Sequence, residues 1–177
     1  MFSQTPKLDS ENLLLRPMTP SDFEGLFACA GDKNVWAGHP SPNRYKKDQF
    51  KIWFSDAINS GNALTVVSKK TDKIIGSTRF YFEESNSDSV SIGYTFIAHK
   101  YWGSDVNSEL KTTMLNYAFK YFSSVWFHVS PINVRSQKAV LKLGATFIEN
   151  KRVSLLGGEP IDWYFYKIER KSWQLNS

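Results

Sequence analysis

The feature that most constrains this chain is a change of hydrophobic period in mid-sequence. Residues 89–97, Ser-Val-Ser-Ile-Gly-Tyr-Thr-Phe-Ile, alternate, with Val90, Ile92, Tyr94 and Phe96 on one face. That is the pattern of a strand. A helical period then takes over. Val106, Leu110, Met114, Ala118 and Tyr121 fall on one side of a helix predicted over 105–122. The short connection carries Gly103. A strand that runs almost directly into a helix aims the helix's unpaired N–H groups and its positive dipole end at one spot. Such a spot suits a phosphate or pyrophosphate. An ordinary strand–helix connection capped by Asp105 also fits, and one glycine does not separate the two.

Other segments fall into place around this unit. Leu13 to Arg16 is a short strand stopped by Pro17. Thr19 and Pro20 read as a cap and first position of a helix holding Phe23, Leu26, Phe27 and Ala30. A second helix covers about 46–59, with Phe50, Trp53, Phe54 and Ala57 on one stripe. Strands at 64–68 and 73–82 flank a Thr71-Asp72 turn, and a polar turn at 83–88 precedes the alternating strand. A strand at 124–130, a helix at 133–143 closed by Gly144, and two strands at about 146–153 and 161–169 around Gly157-Gly158 complete the chain. The expected fold is α/β (α+β), a single mixed sheet flanked by helices in one domain over 1–177.

Composition removes several function classes. The one cysteine, Cys29, excludes an internal disulfide, a CxxC pair and a cysteine-rich zinc site. Three separated histidines, His39, His99 and His128, make no metal cluster and read as single surface or strand residues. No apolar run reaches the ~18 residues of a membrane span, and the first residues lack a basic-then-apolar leader pattern. The expectation is a cytoplasmic protein with no membrane partner. Net charge is +5, but the basic residues are scattered, with pairs as the longest runs. Nucleic acid normally requires clustered charge and is not an expected partner. An anionic ligand such as a phosphorylated cofactor fits. The aromatic share of 15% supplies core area without disulfides.

A second candidate lies at Asn133-Val134-Arg135-Ser136-Gln137-Lys138. Asn133 is a good N-cap and leaves Ser136 in the first turn. Arg135, Lys138 and Lys142 add positive charge. This is either a capped surface helix or a second helix start that meets a ligand.

Taken together the pieces resemble the GNAT N-acetyltransferases, in particular the RimJ/RimL-like group. The resemblance runs from about Leu13 to Trp173. It rests on Leu14-Leu15-Arg16-Pro17, Ile75-Gly76-Ser77-Thr78-Arg79, Ile92-Gly93-Tyr94-Thr95, Tyr101-Trp102-Gly103 with Val106-Asn107-Ser108-Glu109, Asn133-x-Arg135-Ser136, Leu143-Gly144-Ala145, and the final stretch from Asp162. Each piece is weak alone, but they stand in family order.

The resemblance implies a mostly antiparallel sheet with two splayed parallel central strands and about four helices. It implies acetyl-CoA as cosubstrate, with no metal. The backbone of Thr95, Phe96 and Ile97 would pair with the pantetheine arm. The loop of Trp102, Gly103, Ser104, Asp105, Val106, Asn107 and Ser108 would hold the pyrophosphate. Asn133, Arg135, Ser136 and Lys138 would also meet the cofactor, and Ser136 would protonate the leaving thiolate. A strand bulge near Thr95–Ile97 would expose an N–H to the oxyanion. The general base is open, with Glu83 and Glu84 as candidates beside a solvated-turn reading. Trp36 and Tyr45 would border the acceptor amine. The implied activity is transfer of acetyl to a protein N-terminal amine or a small-molecule amine by direct attack, in a monomer or homodimer. One departure stands out: Asp105 occupies the position of a second loop glycine, and its charge opposes a pyrophosphate. It keeps open a non-catalytic CoA-binding or regulatory module.

Overall fold

The computed structural model describes residues 1–82, 88–155 and 159–176. The elements are β1 (Leu8–Asp9), β2 (Leu13–Pro17), α1 (Phe23–Ala30), α2 (Lys47–Asn59), β3 (Ala63–Ser68), β4 (Lys73–Tyr81), β5 (Ser89–Ile97), α3 (Val106–Ala118), β6 (Ser124–Val129), α4 (Val134–Lys142), β7 (Thr146–Val153), β8 (Ile161–Glu169) and α5 (Arg170–Asn176). The eight strands form one sheet in the order β1-β2-β3-β4-β5-β6-β8-β7. Every neighbouring pair is antiparallel except β5 and β6.

The sheet buries apolar residues on both faces. One face packs Leu110, Met114, Leu115 and Ala118 of α3, with Val140 of α4, against Ile92, Val125 and Phe127. The other packs Leu26 and Ala30 of α1 with Phe50 and Trp53 of α2 against Phe96. Large aromatics fill the second layer, where Phe50 stacks on Trp53 at 5.0 Å. This accounts for much of the aromatic excess.

Two polar anchors fix the periphery. Asp22 is 3% exposed. It accepts two hydrogen bonds from Arg16, at 2.8 and 2.6 Å, and others from Thr19 N–H and Thr65. Thr19 and Asp22 form a capping box at the start of Pro20–Asp22, a 3-10 turn ahead of α1, so the expected Thr19 cap is reinforced by Asp22. Glu109 on α3 accepts from Ser10 Oγ and Asn12 N–H, both at 2.7 Å, and ties the β1–β2 hairpin to that helix.

Most predicted elements recur within two residues. The helix expected over 105–122 ends at Ala118 and finishes in turns. Two elements are additions, the two-residue β1 and α5, which makes five helices. The Gly157-Gly158 turn lies outside the described residues.

Candidate active site

The site begins with a failure of strand pairing. β5 and β6 pair only at Ser89–Ser124, Val90–Val125 and Ser91–Trp126. Beyond those positions they part, so the β6-facing backbone of Ile92–Ile97 has no strand partner among the described residues. An extended chain laid there would find main-chain donors and acceptors, as an added strand does. A cavity of about 340 Å³ opens between the parting strands, lined among others by Ile92 to Ile97 and Phe127 to Ser130.

A bulge shapes the same strand. Arg79 pairs with Gly93 and Ser77 with Phe96, so Tyr94 and Thr95 together stand opposite Thr78. Tyr94 takes φ of 52°, the left-handed region. A non-glycine residue held there stores ~1–3 kcal/mol of strain, a cost that clusters at functional positions. Gly93, just before it, has no room for a side chain. A Cβ there would lie 2.8 Å from the Tyr81 ring.

Two helix starts face the cavity. Gly103 has φ of 76°, and nothing lies within 4 Å of where its Cβ would stand, so the loop is open there. Ser104 Oγ closes the turn on Tyr101 O at 2.6 Å. The helical ladder of α3 starts with Glu109 N–H donating to Asp105 O. The amides of Asn107 and Ser108 therefore stand ahead of the ladder, and both residues line the cavity. At α4, Asn133 Oδ1 accepts from Ser136 N–H at 3.2 Å, the expected cap. Arg135 bridges the two starts, its guanidinium 3.3 Å from the Trp102 ring centroid. Trp102 is itself fixed by donating to Ile97 O at 3.1 Å.

Asp105 also lines this region. Its φ of −77° is ordinary, and its side chain makes no cap hydrogen bond. The position therefore has no need of glycine's conformational freedom, and only the charge argument remains. The residues present fit a pyrophosphate-bearing cofactor: free amides at a helix start, Arg135 and Lys142 on the cavity, and an unpaired strand edge beside them.

The opposite end holds groups that sequence reasoning left aside. His128 on β6 lines the cavity, and its Nδ1 lies 2.6 Å from Tyr81 Oη. Burial, with the charge of Lys151, pushes it down to about 4, so the ring is neutral at neutral pH. His39 lines the cavity from the loop before α2. Burial and then Arg44 push it down to about 3. His128 is thus a strand histidine, as expected, and both it and His39 line the cavity, which the sequence did not suggest. Lys111 of α3 is 6% exposed and donates to Thr95 Oγ1 at 2.6 Å. Burial pushes its ammonium down to about 7. Its spacing from Asn107 and Leu115 was a usable signal, because it shares their side of the helix.

Of the residues expected at the cofactor, Thr95, Phe96, Ile97, Trp102, Gly103, Ser104, Asp105, Asn107, Ser108, Asn133, Arg135 and Ser136 line the one cavity. Val106 and Lys138 do not, and Lys138 is exposed on the outer side of α4. Trp36 is a correction. It is 3% exposed, donates to Ala30 O at 2.8 Å and belongs to the α1–α2 core. An indole this buried offers no open face to an amine. Tyr45 packs on the same core, outside the cavity lining. Glu83 and Glu84 lie outside the described residues. Cys29 is buried, its thiol pushed up to about 11 by burial, which suits packing rather than nucleophilic attack. Among the described residues no His, Cys, Asp and Glu group is arranged to hold a metal, and no helix is long and apolar enough to cross a membrane.

Comparison with known proteins agrees with this geometry. The model of the acetyltransferase (GNAT) domain matches residues 12–146. The uncharacterized N-acetyltransferase YoaA of Bacillus subtilis is 24% identical over 148 residues, covering 78% of this chain and 82% of YoaA. Among solved structures, Mycobacterium smegmatis RimJ in complex with CoA-disulfide is similar with a TM-score of 0.67 at 16% identity, over 90% of this chain and 83% of that one. Spermidine N-acetyltransferase from Vibrio cholerae, in complex with CoA and spermine, also gives 0.67, at 15% identity, over 93% and 99%. At such identities the structures share the fold alone. The parted parallel strands, the open loop before α3 and the family match over most of its length lead to one conclusion: the chain belongs to the GNAT acetyltransferase family.

Proposed function

We propose that this protein is an N-acetyltransferase that moves acetyl from acetyl-CoA to a primary amine by direct attack, within one domain. The carrying observation is the parting of β5 and β6 beside two helix starts that open on the same cavity. The thioester supplies an activated acetyl group; the chain supplies binding, alignment and proton handling. The open edge of Thr95–Ile97 would hold the pantetheine arm. The amides of Asn107 and Ser108, with Arg135, would hold the phosphates. The bulge at Tyr94–Thr95 is the natural place for a backbone N–H aimed at developing negative charge. Ser136 lines the cavity with its own N–H already taken by Asn133, and among the described residues no group takes its hydroxyl. That leaves it able to give a proton to the departing sulfur.

Replacing Ser136 by Ala should lower turnover by about a hundredfold or more and leave acetyl-CoA affinity nearly unchanged in calorimetry. Equal loss of both would contradict the acid role. A CoA-binding module without turnover is the second reading, favoured by the charge of Asp105. Release of CoA thiol in the presence of an amine panel separates the two. A protein N-terminal amine and a small-molecule amine are both acceptors within this proposal. The spermidine N-acetyltransferase among the similar structures is an example of the second kind.

A further inference from the structure

Two arginines beside the acceptor end of the cavity carry charge that the fold does not neutralise. Arg79 on β4 is 6% exposed. Its guanidinium lies 4.4 Å from the ring centroid of Tyr94, a wall residue of the cavity, and 5.9 Å from that of Trp53. Its Nε has no hydrogen-bond partner. Among the described residues no carboxylate pairs with it, and Asp56 acts on it only at a distance. Arg44 is half-buried in the 3-10 turn Pro42–Tyr45, 5.6 Å over the Trp36 ring, and it too has no ion pair among the described residues. The two feel each other: burial and then Arg79 push Arg44 down to about 10. Arg44 also depresses His39 on the cavity wall.

A buried arginine normally has a carboxylate or carbonyl partner. If these side chains served packing alone, a neutral residue would do so without the desolvation cost. One carboxylate, Asp56 on α2, acts on both arginines from a distance without pairing with either; on the nearby cavity wall His39 and His128 are uncharged, and Lys151 adds a cation near His128. A polycationic amine entering here meets charge of its own sign. An amine with a negative group meets complementary charge one aromatic ring behind the wall.

Resting on the transferase reading, we propose that the acceptor is a primary amine that also carries an oxyanion, a carboxylate or phosphate ester. Its negative charge is balanced by Arg79 and Arg44 while the amine faces the parted strands.

The test compares matched acceptors in a CoA-release assay. The panel is γ-aminobutyrate against its amide, phosphoethanolamine against ethanolamine, the C-terminally amidated peptide Asp-Ala-Ala against amidated Asn-Ala-Ala, and spermidine. The expected result is about a tenfold higher kcat/KM for the anionic member of at least one pair, with spermidine poorest. The pair that responds identifies the source of the oxyanion. In Arg44→Met and Arg79→Met the ratio within that pair should fall towards one. Arg44→Met, on a half-exposed turn, keeps the test open if Arg79→Met fails to fold. Turnover without charge preference, or best with spermidine, overturns the proposal while the transferase reading stands. If no amine is acetylated, N-acetyl-aspartate is titrated into the CoA-saturated protein by calorimetry. Binding that Arg44→Met weakens supports the anion site although transfer has failed, and absence of binding overturns it.

Discussion

At the scale of single residues, Lys111 and Asp105 carry the sharpest consequences. Lys111 is buried against Phe127 and Thr95, and among the described residues no carboxylate pairs with it. Its folded-state pKa is depressed to about 7, below the ordinary lysine value, because burial disfavours the charge. The unfolded chain therefore binds the extra proton more readily, and the native state is penalised most below about pH 7. The penalty shrinks as pH rises from there towards the ordinary lysine value. Replacing Lys111 by Met should raise unfolding stability at pH 6, with a gain that diminishes steadily towards pH 10. A pH-independent gain, or a loss at pH 6, in denaturant titrations would contradict this account of the burial.

For Asp105, the ordinary backbone angle leaves charge as the only objection to cofactor binding. Asp105→Gly should tighten acetyl-CoA about fivefold, which corresponds to ~1 kcal/mol of relieved repulsion at a partly solvated site. The effect should fade with added salt. Unchanged or weaker affinity in low-salt calorimetry would remove the repulsion argument. Both residues were present in the sequence, but only one was legible. Asp105 announced itself by replacing a glycine. Lys111 was passed over because a charged side chain on a helix usually points to water, and only its spacing marked the buried side.

At the scale of elements, the unit that makes the site is β5 with its bulge, followed by α3. Alternation and helical period fixed both elements from the sequence alone, and Asn133 and Gly144 marked the ends of α4 correctly. The position of the bulge was only roughly legible. It falls at Tyr94–Thr95, at the near edge of the expected stretch, because Tyr94 accepts a left-handed angle that strand propensity disfavours. Contacts made across the fold impose it: the Tyr81 ring covers Gly93, and Arg79 stacks on Tyr94. Gly93→Ala should therefore push on the Tyr81 ring and destabilise the protein by ~1–3 kcal/mol, the usual range for overpacking. Pairing it with Tyr81→Leu should recover part of that loss. A neutral Gly93→Ala in urea unfolding would show that the ring does not hold the bulge. The burial of Trp36 was illegible for a similar reason. Its neighbour Phe96 comes from β5, distant in the chain, and a loop setting alone reads as exposed.

At the scale of the whole molecule, the net charge of +5 has resolved into positions. Arg135 and Lys142 line the cavity, Arg79 stacks on its wall residue Tyr94, and Arg44 sits over the Trp36 ring. Lys138 and many other basic residues are surface. A mixed sheet flanked by helices was readable from the order of elements, because local period and capping encode them, whereas the parted parallel strands were legible only through the resemblance to the GNAT family. The acceptor was not legible, since the cavity's walls combine residues from the loop before α2, β4, β5, β6 and β8 that only the folded sheet brings together.

The central claim is that the parted strands bind acetyl-CoA for direct transfer to an amine. The most direct measurement incubates the purified protein with acetyl-CoA and an amine panel. It follows CoA thiol together with the masses of both amine and protein. The account predicts one CoA released per acetylated amine, with the protein's own mass unchanged throughout. Acetyl-CoA binding without amine-dependent CoA release, or an acetylated protein that forms and decays during turnover, would contradict it.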